Sequence, residues 1–299
     1  MSDPKSRPLR ARSMRRLKSV CLLGGLLCAG SGFAAQLIVL EEECRGKQLL
    51  FKGPIEPGDA NRFADALARL VLSPDLPEVQ DPELLWTVKL DSPGGDAGEA
   101  MQIGRLLRAG LAATEVSYRF AKRADGIYDF ERSDDRICLD GEGRLSGCFS
   151  DIVKAECAGA CLLVWLGGAD RYAHEGNLGT HGLLAPGEDA AAVEAYLGEM
   201  GLSAENVARL LGPRSDGEHW LSWSERSAIA GRAPVLQAPL ASCPEGLTQQ
   251  ESLDSVMHTD PAVRDRLMDR AEAHRACRLA ILATAQRALR SDLQARVGP

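Results

Sequence analysis

The sequence predicts an α/β fold: a parallel sheet covered by helices, with an inserted hairpin and a C-terminal helical extension. Three observations carry that expectation. Apolar runs of strand length alternate with stretches of helical spacing as far as Tyr118. Turns rich in glycine and proline separate them, above all Pro93-Gly94-Gly95 and Gly167-Gly168. From Ala241 onward the composition shifts, and Pro261–Val297 is rich in Ala, Arg and Leu with a helix start at Thr259 or Asp260 followed by proline.

Taken in order, Ala35–Cys44 reads as a first strand and Leu49–Phe51 as a second, followed by turns at Gly53-Pro54 and Glu56-Pro57-Gly58. Asn61–Leu72 places Phe63, Ala64, Leu67, Leu70 and Val71 at helical spacing, so one face is buried. Pro74–Glu83 is a loop, Leu84–Leu90 a buried strand, and Ala97–Leu107 a helix ended by Gly110. Ala112–Tyr118 is a third strand, and the alternation implies right-handed crossovers. Residues 120–152 break the rhythm: they are polar and charged, and form an insertion near the site face. Cys138 and Cys148 flank the turn-rich Leu139–Gly147, and a disulfide closing that hairpin is expected. Asp189–Met200 and Ala204–Leu211 are helices around Gly201; Ser222–Ala230 is a third, capped by Ser222 or Ser224 with Glu225 in its first turn. Ala233–Gln237 reads as a short returning strand. Pro261–Val297 is expected to pack on the body, the alternative being an oligomerisation helix.

Charge and cysteine usage narrow the setting. The 299-residue chain has a net charge of −7, but residues 1–34 hold seven Lys/Arg and one acid. The rest therefore carries 28 basic and 41 acidic groups, a net −13, which disfavours nucleic acid as a partner. Basic residues up to Lys18 precede the apolar Val20–Phe33, and Gly32 and Ala34 suit cleavage after Ala34. The expectation is a signal peptide at 1–34 and a periplasmic or secreted body, spanning 35–240 with its insertion at 120–152 and an extension at 241–299. The alternative is an inner-membrane anchor, since Leu37–Leu40 prolongs the apolar run. Nine cysteines fit an oxidising compartment. Cys21 and Cys28 lie in the leader, which leaves an odd seven.

The chemistry-bearing stretch is Glu156–His181. A turn of small residues leads into a short apolar segment, and the stretch ends at a histidine. Small residues at a strand-to-helix turn let backbone N–H groups face outward at a helix N-terminus, where developing negative charge is stabilised. A histidine brought back beside that turn is placed for proton transfer. The turn Asp91-Ser92-Pro93-Gly94-Gly95 sits between strand and helix in the same way, and two such turns facing each other would form an oxyanion hole.

Leu50-Phe51-Lys52-Gly53, Asp91-Ser92-Pro93-Gly94-Gly95, Cys157–His181 and Trp220-Leu221-Ser222 together resemble the ClpP/crotonase superfamily over residues 36–237. They are most similar to ClpP-like periplasmic proteins with a Cys-Ala-x-Ala-Cys turn. The resemblance implies a spiral α/β core. It places the family's catalytic serine on Gly159, its histidine on His181 and its acid on Glu218, with oxyanion-hole amides at Gly95 and Ala160. A glycine has no side chain to attack with, so the resemblance implies a degenerate serine peptidase that keeps its cleft for peptide or protein binding or for assembly. The alternative is an active hydrolase using Cys161 or Cys157, or water activated by His181. A thiolate near a helix N-terminus is reactive, but in an oxidising compartment a disulfide or buried thiol is favoured. Glu218 is open to an alignment slip, and its neighbour His219 is an alternative site residue. The chain offers no metal-ligand spacing, so neither a metal nor another cofactor is expected. Export argues against acyl-CoA chemistry and against an ATPase partner, and the superfamily's trimers and stacked rings imply a homo-oligomer.

Overall fold

Strand β1 (Gln36–Glu42) and β2 (Gly46–Lys52) form an antiparallel hairpin at one edge of the main sheet, Gln36 standing opposite Lys52. In this computed structural model the described residues are 34–42, 46–72, 86–138, 148–173, 176–184, 187–212 and 219–297. Residues 1–33 of the leader, the loop Pro74–Glu83, Cys44 and Glu218 lie outside them.

Helix α1 (Asp59–Val71) opens with an acid and ends with Arg69 in its last turn, both favourable to the helix dipole. It buries Phe63, Leu67, Leu70 and Val71, the face expected from their spacing. Strand β3 (Thr87–Asp91) pairs parallel with β2, and α2 (Ala97–Ala109) follows a turn capped by the Asp96 carboxylate on the Glu99 amide. Strand β4 (Ala113–Glu115) pairs parallel with β3. The polar insertion then folds as two antiparallel hairpins, β5 (Phe120–Lys122) with β6 (Tyr128–Phe130), and β7 (Arg132–Cys138) with β8 (Cys148–Ile152).

The chain re-enters the core as β9 (Glu156–Ala158), α3 (Ala160–Gly167), β10 (Asp170–Tyr172) and β11 (Asn177–Gly179). Helices α4 (Ala190–Glu199), α5 (Ala204–Leu211) and α6 (Trp223–Ile229) follow. Helix α6 starts at a capping box between Ser222 and Glu225. The six-stranded sheet closes with β12 (Gly231–Arg232) and has the order β1-β2-β3-β4-β10-β12, with β2, β3, β4 and β10 parallel and both edges antiparallel. A second, two-stranded parallel sheet pairs β9 with β11. The architecture is the expected α/β core with an inserted hairpin region and a C-terminal helical extension.

One expected element is wrong. Ala233–Gln237 does not return as a strand; it begins helix α7 (Pro234–Leu240). Pro234 sits at the first helical position, where its missing N–H costs nothing and its fixed φ is already helical. Leu236 and Leu240 then pack with Leu111, Ala169 and Leu282. After α7 come α8 (Gln249–Met257), which the sequence reading passed over, and α9 (Pro261–Val297), whose bounds match the expectation.

The described residues belong to one compact unit. Helix α9 packs on the body, inserting Leu289 and Leu293 into the main core beside α1 and α2. A disulfide between Cys243 and Cys277 ties the segment after α7 to α9. Among the described residues no helix is long and apolar enough to cross a membrane.

Candidate active site

The site is built where two turns meet. Strand β3 runs past its last sheet partner, and the Ser92 amide donates to the Glu156 carbonyl at 2.7 Å while the Ala158 amide donates back to Ser92 at 3.1 Å. This short parallel ladder draws the Pro93-Gly94-Gly95 turn onto β9. The far side of that turn is held by Ile55, whose amide donates to the Gly94 carbonyl at 2.8 Å and whose carbonyl accepts from Asp96 at 2.9 Å. A Cβ on Gly94 would lie 2.6 Å from the Ala158 oxygen and 3.0 Å from the Ala160 nitrogen, so only glycine permits the turns to touch. The Gly94 turn therefore touches the start of α3 at Ala160, while Gly95 lies against the Ile55 backbone.

Strand β9 passes into α3 at Gly159, with φ 53° and ψ −124°, a conformation costly for any side chain. All of α3 is buried: Trp165, Leu162 and Leu163 are among the largest fully buried side chains. Thr114 donates to the Trp165 carbonyl, Tyr196 to the Leu163 carbonyl, and Arg108 and Arg171 to carbonyls at the helix's C-terminal end. Two cations at the C-terminus complement the dipole and leave the N-terminal amides facing the turn. Burial, with Arg108 close by, pulls Arg171 down to about 9, and burial pushes the Tyr196 phenol up. Deep placement of Arg171 is sustained by bonds to the Gly168, Met200 and Ile229 carbonyls.

Gly159 does not stand before an open space. A Cβ there would lie 2.9 Å from the His181 carbonyl oxygen and 3.1 Å from the Gly182 carbonyl carbon. Backbone fills the place from which a nucleophile would emerge. The thiol alternative fails too: Cys157 and Cys161 are joined in a disulfide that brackets Gly159, and they are 0% and 1% exposed. Neither sulfur is a thiolate while that bond stands.

His181 reaches the elbow through its backbone, carried there by β11, which pairs with β9 and accepts the Gly159 amide on the Gly179 carbonyl at 3.1 Å. Its ring packs edge-on against Trp220, with centroids 4.8 Å apart. Among the described residues its buried Nδ1 has no hydrogen-bond partner. Glu218 lies outside the described residues. The neighbouring His219 has Nε2 3.8 Å from Glu225 Oε1, too long for a hydrogen bond. Thr180 Oγ1 is likewise buried without a partner among the described residues. Among the described residues His181, Gly159, Gly95 and Ala160 fall in one region, and no acid is seen beside the His181 ring. For the hairpin cysteines, the β7–β8 register sets Cys138 directly opposite Cys148, and their side chains lie outside the described residues.

Sequence reading missed an ion network beneath the site. Asp91, 7% exposed, meets Arg119 at 3.2 Å and Lys52 at 3.7 Å, while Arg119 also meets Glu156 at 3.2 Å. Lys52 further reaches the Phe120 carbonyl and Glu131, so the network ties the insertion to both turn-bearing strands. Its members are too far apart in the chain for spacing to signal them. Among the described residues no group of three His, Cys, Asp or Glu could hold a metal ion.

No family model and no curated protein matches the chain. Among solved structures it is similar to a mutant of the membrane-bound stomatin-specific protease 1510-N, with 16% identity, a TM-score of 0.35, and coverage of 60% of this chain and 74% of that one. It is also similar to a Streptomyces coelicolor A3(2) protein described as an enoyl-CoA hydratase, with 14% identity, a TM-score of 0.33, and coverage of 93% and 91%. Superpositions this loose assign neither a relative nor a function.

Proposed function

We propose that this chain is an exported ClpP/crotonase-like protein whose elbow has lost its nucleophile and whose facing turns bind an extended peptide backbone. One observation carries the reading: at Gly159 the side chain is missing and its space is occupied by the His181–Gly182 backbone. The disulfide removes the flanking thiols as substitutes. What remains is binding equipment. The α3 N-terminus at Ala160 faces the Gly95 turn, and amides of that kind suit a peptide carbonyl. Among the described residues Thr180 Oγ1 and His181 Nδ1 are buried without a hydrogen-bond partner, a state that a bound peptide would relieve.

The test is labelling of the oxidised protein with a fluorophosphonate and, separately, with iodoacetamide, each beside a His181→Ala control. No His181-dependent labelling is expected. Hydrogen exchange with a library of unstructured peptides should add protection at residues 92–97 and 156–160. Labelling that vanishes in His181→Ala would overturn the reading in favour of a live hydrolase, and peptides that leave those amides unprotected would remove the binding role.

A further inference from the structure

Helix α8 buries none of its nine residues, and its apolar Leu253, Val256 and Met257 are 53%, 76% and 77% exposed. A helix that short is marginal in water unless something docks it. Along its length the segment from Cys243 to His258 is joined to α9 in antiparallel order. Cys243 is bonded to Cys277, His274 Nδ1 donates to the Pro244 carbonyl, Glu251 pairs with Arg270, and Arg264 donates to the His258 carbonyl. Single hydrogen bonds and exposed ion pairs hold weakly, whereas a disulfide closing a loop of 34 positions holds strongly. Both ends of the segment are anchored independently of it: Leu236 of α7 packs on Leu282, and Leu289 and Leu293 of α9 sit in the main core.

The two disulfides also differ in reach. Cys157 and Cys161 are 0% and 1% exposed, while Cys243 and Cys277 are half-buried at the surface of the extension. Exchange requires a thiolate to reach one of the two sulfurs, so only the second pair is open to it in the folded chain. We propose that the Cys243–Cys277 disulfide is a redox switch: a protein dithiol of the thioredoxin class opens it, and the segment Cys243–His258 then comes away from α9. The attacking thiolate forms a mixed disulfide with one cysteine and expels the other as a thiolate, which takes up a proton. The second thiol of the reductant then displaces the first cysteine. This chain gains two electrons and two protons as two thiols, and the reductant leaves as a disulfide. Re-oxidation by a disulfide donor reverses the step. The reduced state is a tethered helical arm on an intact body, and the inference does not depend on what the elbow binds.

The test treats the oxidised full chain with excess reduced thioredoxin under native conditions, with timed alkylation of new thiols and peptide-level hydrogen exchange. Cys243 and Cys277 should be alkylated at least about tenfold faster than Cys157 and Cys161. In the product, amides of Gln249–Met257 should lose about tenfold or more of their protection, those of Glu156–Ala160 should not change, and oxidised glutathione should restore the starting pattern. Cys243→Ser with Cys277→Ser should show the reduced pattern with or without thioredoxin, which ties the release to this one bond. Equal or faster opening of the elbow pair, α8 amides that stay protected after reduction or in the double variant, or protection that re-oxidation does not restore would each overturn the switch.

Discussion

The elbow and the C-terminal extension are each crossed by a disulfide, and the two disulfides do different work. Cys157 and Cys161 are four positions apart, buried, and embedded in backbone ladders that already fix the turn. Cys243 and Cys277 are 34 positions apart and join segments with little else between them. Helix α8 has no buried residue; the Arg270–Glu251 ion pair, the bond between His274 and the Pro244 carbonyl, and the disulfide hold it beside α9. Rigidity at the elbow comes from packing and amide pairing, whereas rigidity in the extension comes from cross-links. The candidate site is thus set on the part of the molecule that least needs covalent help.

The harshest way to break this contrast is to attack the packing. Trp165 is fully buried in α3 with its Nε1 donating to the Tyr172 carbonyl, and Trp165→Ala should cost about 3–5 kcal/mol in denaturant unfolding. A loss below 1 kcal/mol would mean that α3 is not the support of the elbow. Next in size are the disulfides. In the chain-entropy account, closing the 34-position loop stabilises by about 4 kcal/mol and the four-position loop by about 2 kcal/mol. The pair Cys243→Ser with Cys277→Ser should therefore lose more than Cys157→Ala with Cys161→Ala, and hydrogen exchange should show its lost protection confined to α8 and the adjoining part of α9. The reverse order would show that the elbow depends on its staple after all.

How much of this was legible in the sequence follows the same division. Local signals carried far in the core: apolar spacing marked α1 and α2, and Gly94 and Gly159 marked turns that do face each other. Non-local partners left no trace. The packing of His181 on Trp220, 39 positions later, and the Asp91–Arg119–Glu156 network depend on the fold rather than on spacing. In the extension the miss was different. Helix α8 carries only a short apolar stripe, Leu253, Val256 and Met257 at helical spacing, and the structure leaves it exposed. A usable signal was present in the Thr248–Glu251 capping box, a Thr followed three residues later by Glu. At Ala233–Gln237 the expected short strand is a helix start, because Pro234 opens α7 at its first helical position.

That capping box supplies the smallest and sharpest probe of the extension. The Arg270 guanidinium, followed by the backbone and hydroxyl of Thr248, holds the Glu251 carboxyl down to about 2, against an ordinary value of 4.5. A carboxyl with a depressed folded-state pKa contributes stability that is fully present above its ordinary value and is lost as pH falls through the folded value. Amide protection across Gln249–Met257 should therefore hold from neutral pH to about 4.5 and collapse as pH approaches about 2. Glu251→Gln should already be less protected at neutral pH and nearly flat across that window, because its amide cannot titrate and pairs poorly with Arg270. Elbow amides in β9 and α3, which Glu251 does not touch, should show no difference between the two proteins at any pH. If they do differ, the extension and the elbow form one cooperative unit, and the division of labour between cross-links and packing does not hold.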